Sequence, residues 1–94
     1  MKIYEDLGFL IQNEKYQLVK KTGVAGDIIG KHNHPSANVL FTVVKGKVEA
    51  NIDDQEKVET FILQPGKVLS FDGNNYIDAK FLEDSEVFIT LIEK

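Results

Sequence analysis

The sequence predicts an all-β domain, a sandwich or barrel of short strands, and three observations carry that prediction. Apolar residues recur with a period of two wherever a period is visible. Turn-forming residues cut the chain at short intervals. No segment sustains the 3.6-residue apolar stripe of a helix packed on a core. Many short alternating segments with turn signals between them specify sheets stacked or closed on themselves.

Tyr16-Gln17-Leu18-Val19-Lys20 opens the strand series, and Val24 to Lys31 follows after the Thr22-Gly23 break. Val39 to Lys45 is the most apolar stretch and is rich in the β-branched residues that suit a pleated surface. Beyond Gly46, the apolar residues Val48, Ala50 and Ile52 alternate with Lys47, Glu49, Asn51 and Asp53, which gives a strand with one buried and one wet face. Asp53-Asp54-Gln55-Glu56 reads as a hairpin turn, and Val58 to Leu63 returns from it until Gln64-Pro65-Gly66 ends the run. Lys67 to Phe71, Tyr76 to Leu82 and Glu86 to Ile92 complete the set, for roughly eight to ten strands in all.

A chain of 94 residues without a linker or composition shift reads as one domain, residues 1–94. At 43% apolar and 28% charged it has the balance of a folded globular protein. The net charge of -4 and the lack of a lysine-arginine cluster argue against a nucleic-acid partner. With no cysteine, disulfides, thiolate metal sites and cysteine nucleophiles are excluded, so any metal must be held by nitrogen and oxygen. Met1 to Leu10 lacks the pattern of a secretory signal, and no later stretch has the apolar length of a membrane span, so a cytoplasmic protein with no membrane partner is expected.

One strand differs from the rest. In Val39 to Val44 the set Val39, Phe41 and Val43 and the opposite set Leu40, Thr42 and Val44 are both largely apolar, which implies cover on both faces. Val87 to Ile92 is apolar on both faces as well. The extra cover comes either from another part of the same sandwich or from a second subunit; the terminal strand, apolar on both faces, favours the latter, and a homodimer is expected.

The residues around the only two histidines carry a family resemblance. Gly26 is followed by five residues and then His32-Asn33-His34-Pro35, and Gly46 stands after the apolar strand. This resembles the first sequence motif of small single-domain cupins, and the likeness extends over about residues 23–94. It implies a cupin-type double-stranded β-helix, the jelly-roll barrel. In that motif Val39 falls where the family has a metal-binding glutamate, and Asn38 beside it is the nearest oxygen donor. Of the second motif only Gly66 remains: Ile77 falls on its histidine and Phe81 on its asparagine. The resemblance therefore implies a metal site reduced to His32 and His34.

Residues i and i+2 of a strand share a face, so both imidazoles can point into the barrel. The resemblance then implies one divalent ion, of Zn, Ni, Fe, Mn or Cu, held weakly by His32 and His34. Catalytic zinc sites ordinarily use three protein ligands, and two neutral imidazoles do nothing to offset the ion's charge. A His-x-His pair also serves as the polar part of a metal-free pocket, or bonds a backbone carbonyl. Phe41, Phe81 and Tyr76, if inward, would shape such a pocket.

The expected function is accordingly binding of a small molecule without catalysis, in a pocket formed by His32, His34, Asn38, Val39, Phe41, Tyr76, Ile77 and Phe81. The alternative is a metal-dependent isomerase, oxygenase or lyase acting on a small polar substrate, with His32 and His34 as metal ligands. Lys20-Lys21 and Asp53-Asp54-Glu56 read as solvated surface. Asp78 alternates away from the inward set Ile77, Ala79 and Phe81, and Asp84 sits in a turn, so neither is placed for acid-base work.

Overall fold

The computed structural model describes Met1–Lys94. Its nine strands are β1 (Gly8–Gln12), β2 (Tyr16–Gly23), β3 (Ile28–His32), β4 (Ala37–Lys45), β5 (Val48–Asp53), β6 (Val58–Leu63), β7 (Val68–Asp72), β8 (Tyr76–Phe81) and β9 (Ser85–Glu93). They form a five-stranded sheet of order β1-β2-β9-β4-β7 and a four-stranded sheet of order β3-β8-β5-β6. Every recorded strand pair is antiparallel. Only the β1-β2 and β5-β6 hairpins stay within one sheet. From β2 onward every other connection crosses between the sheets, and this alternation winds the chain into a double-stranded β-helix. No helix is long and apolar enough to cross a membrane.

The alternating pattern fixes which side chains meet between the sheets. Val39, Phe41 and Val43 of β4 are each no more than 1% exposed, and Val48 and Ala50 of β5 are fully buried. Ile77, Ala79 and Phe81 of β8 and Val87 and Ile89 of β9 join them in one apolar cluster. Side chains from two inner faces thus interlock as in a sheet sandwich. The shortest dimension of the molecule, 20 Å, is that of two stacked sheets.

Two boundaries differ from the pattern read in the sequence, for identifiable reasons. The strand β1 lies in a segment with no period of two, because a bulge between Phe9 and Ile11 breaks the alternation in its pairing with β2. The segment Val24 to Asp27 is a turn and not the start of a strand: Asp27 N–H donates to the Val24 carbonyl at 3.0 Å, and the Asp27 carboxylate accepts from Val24 N–H at 2.9 Å. Gly26 has a φ of 96° there, in the left-handed region that favours glycine. Local side-chain bonding to the backbone has displaced the ladder.

Candidate functional site

The two histidines are held where β3 leaves the four-stranded sheet and the chain crosses to β4. His32 is the last residue of β3 and lies opposite Ile77 in the register with β8. His34 follows in the connection, which is clamped by three backbone bonds. His34 N–H donates to Gly73 C=O at 2.8 Å, Ala37 N–H to His34 C=O at 3.0 Å, and Gly73 N–H to Ala37 C=O at 2.9 Å. Gly73 is buried, and a Cβ there would run into the carbonyl oxygens of His34 and Ala37. The C-terminus adds another tie, because Lys94 Nζ donates to Pro35 C=O at 3.1 Å.

The imidazole rings meet edge to face, with centroids 4.8 Å apart and planes at 88°. Nδ1 of His32 lies 2.7 Å from Gly30 C=O. A carbonyl only accepts, so the His32 proton resides on Nδ1 and leaves Nε2 free. Burial lowers the pKa of His34, helped by the charge of His32 and then of Lys21. The neutral imidazole is therefore favoured at this position.

His34 opens onto a cavity of about 230 Å3 with Tyr16, Gln17, Asn33, Leu91 and Glu93 in its wall. A second cavity, of about 520 Å3, has Phe9, Val19, Lys21, Ile29 and Phe81 in its lining. The cavity at His34 lies between the start of β2, the β3-β4 connection and the end of β9 and is mainly polar. The larger one lies between β1, β2 and the start of β3 and is mainly apolar.

Of the residues expected to form the pocket, the structure brings only some together. His32 and His34 are neighbours, with Ile77 beside His32 in the register. Val39, Phe41, Ile77 and Phe81 are at most 3% exposed and pack in the core, although Phe81 also reaches the larger cavity. Asn38 and Tyr76 do not face the barrel interior, which corrects the sequence reading. Asn38 lies between Asp72 and Ile92 on the outer side of the five-stranded sheet, exposed. Tyr76 lies on the outer side of the four-stranded sheet, with Lys31 Nζ 5.8 Å from its ring centroid. Each sits one position from an inward residue, Val39 or Ile77, and strand alternation turns it outward.

Gln17, Leu91 and Glu93 were missed. A signal existed for Gln17: two positions before the inward Val19, it is a polar side chain on the inward side of β2, which marks a lined cavity more readily than a packed core.

The donor set can be tested against a resident metal ion. Nowhere do three or more His, Cys, Asp or Glu side chains gather in a group able to hold one. Ile77, opposite His32 in the register, and Val39 in the core offer no donor atom. Two imidazoles without a carboxylate fall short of the three-ligand sites that retain catalytic metal, so this residue set does not fit a resident metal centre.

No family model and no curated protein matches the chain. Solved structures do resemble it. An RmlC-like cupin family protein with a double-stranded β-helix fold from Methanocaldococcus jannaschii superposes with a TM-score of 0.82 at 18% identity, over 99% of this chain and 91% of that one. KdgF from Halomonas sp. gives a TM-score of 0.80 at 19% identity, over 99% and 87% of the two chains. A cupin superfamily protein from Desulfitobacterium hafniense gives 0.80 at 14% identity, over 92% and 74%. The chain therefore has the cupin fold. At these identities the likeness carries architecture and not activity.

Proposed function

We propose that this cupin-fold protein binds a small molecule without transforming it, in the cavity between the start of β2, the β3-β4 connection and the end of β9. The observation that carries the proposal is His34, a half-buried imidazole facing a cavity whose wall also includes Gln17 and Glu93. A neutral imidazole both donates and accepts, and a few convergent polar groups in a concave site fix a ligand's orientation. No third His, Cys, Asp or Glu side chain gathers with the pair to complete the ligand set of a metal-assisted reaction.

A second reading, a metal-dependent isomerase, oxygenase or lyase, is favoured by one observation. The contact of His32 Nδ1 with Gly30 C=O leaves Nε2 free, as outer-shell carbonyls do for metal-binding histidines. That reading requires the substrate itself to supply the remaining ligands.

A thermal-shift screen of sugars, carboxylates and amines tests the first reading. At least one compound is expected to raise the melting temperature of the wild type by mass action and to lose that effect in His34→Ala. No stabilising compound across the panel, or equal stabilisation of the variant, contradicts it. Elemental analysis of untagged protein tests the second reading, which requires stoichiometric metal that disappears in the His32→Ala/His34→Ala variant; equal, trace metal in both contradicts it.

A further inference from the structure

The larger cavity, of about 520 Å3, takes no part in the function proposed for the His34 cavity and is built differently. Val19, Ile29 and Phe81 give it a wall of buried core side chains. Leu7, Phe9 and Ile28 line it as well, yet they stand open to water, Ile28 at 72% exposure. Phe9 lies opposite Val19 in the register of β1 with β2, so the two share the inner face. Apolar side chains left open around a hollow mark a place for a ligand or a partner.

A cation completes this wall. Lys21 lies opposite Val87, which is fully buried in the core, so alternation puts Lys21 on the inner side of β2 in line with Val19. Its neighbour Lys20 is paired with Glu86 at 3.4 Å, whereas Lys21 forms no ion pair. Asp27 is also in the lining, but its carboxylate accepts from Val24 N–H at 2.9 Å and serves its own turn.

We propose that this cavity binds an amphipathic monocarboxylate, with its hydrocarbon part against Phe9, Val19, Ile29 and Phe81 and its carboxylate on Lys21 Nζ. The size is that of a small-molecule site, about 300–1,000 Å3. The apolar wall takes hydrocarbon, and the lone ammonium, a compact point charge, matches a single negative charge. A doubly charged phosphate would leave one charge uncompensated in a wall that also carries Asp27. Occupancy would also fasten the start of β1, since Leu7 and Phe9 gain apolar contact there.

Octanoate is the probe, and backbone amide shifts in NMR read its binding. Saturable shifts are expected at Phe9, Val19, Lys21 and Ile29 and not at His34 or Leu91, with a dissociation constant on the order of 1 mM or below. Lys21 is exposed, so Lys21→Gln keeps the fold; it is expected to weaken octanoate about tenfold. Lys80→Gln, on the outer side of the four-stranded sheet, is expected to leave the affinity unchanged. Octylammonium, the same chain with the opposite charge, should bind at least about tenfold more weakly than octanoate. No saturable shift in the millimolar range, shifts confined to the His34 cavity, equal affinity in Lys21→Gln, or octylammonium binding as tightly overturns the proposal. So do shifts of these amides with protein concentration alone, which would give the wall to a second copy. Since His34 is not in this wall, the result is independent of the thermal-shift test of the His34 cavity.

Discussion

Histidine and glycine do the positioning at the scale of single residues. His34 has a pKa below the ordinary imidazole value because burial disfavours its charged form, with His32 and Lys21 adding repulsion. A titration of the imidazole protons followed by NMR should give a midpoint below about 6.5, and His32→Ala should move it upward by removing one of the repelling charges. The sign for stability follows from linkage. In the unfolded chain His34 takes up its proton near the ordinary value, before the folded chain does. Its contribution to stability is thus intact above about pH 6.5 and is lost as pH falls through the lowered folded value.

Gly73 acts on the same site through space. The backbone carbonyls of His34 and Ala37 approach it too closely for a side chain. Gly73→Ala should lower stability by about 1–3 kcal/mol, in the range of overpacking, and shift the imidazole resonances of His34. A variant with unchanged melting temperature and unchanged histidine resonances would contradict the clamp.

Among the elements, stability should be graded from the middle of the sheets outward. The strand β9 pairs with both β2 and β4 along most of its length, whereas β1 pairs with β2 alone and through a bulge. Leu7 and Phe9 are 61% and 59% exposed, so little apolar burial holds that edge. Amide hydrogen exchange should find β1 the least protected strand, opening well below the global unfolding free energy, and β4 and β9 the most protected. Equal protection of β1 and β9 would show that the edge is covered.

For the whole molecule, one apolar cluster between two sheets carries most of the folding free energy. Phe41 is its largest fully buried side chain. Phe41→Ala should cost about 3–5 kcal/mol, a large part of the 5–15 kcal/mol typical of a domain, and should appear as a matching fall in the denaturant midpoint. A cost under about 1 kcal/mol would mean that the cluster collapses around the loss.

Residue order alone was enough for the β class, for most strand boundaries and for the inward sets on β4, β5 and β8, because a period of two is a local property that burial then enforces. The histidine pair was legible for the same reason, as was the departure at Val39 and Ile77. The hairpin strand β1 was not, since its bulge erases the period, and neither was the turn at Val24 to Asp27, where an aspartate bonds its own backbone. Only the tertiary structure decided that Gln17 and Glu93 stand with His34, and that their cavity lies between the start of β2, the β3-β4 connection and the end of β9. Those relations join segments far apart in the chain, tied by bonds such as that from Glu93 N–H to Lys15 C=O, and no local pattern encodes which distant segments will meet.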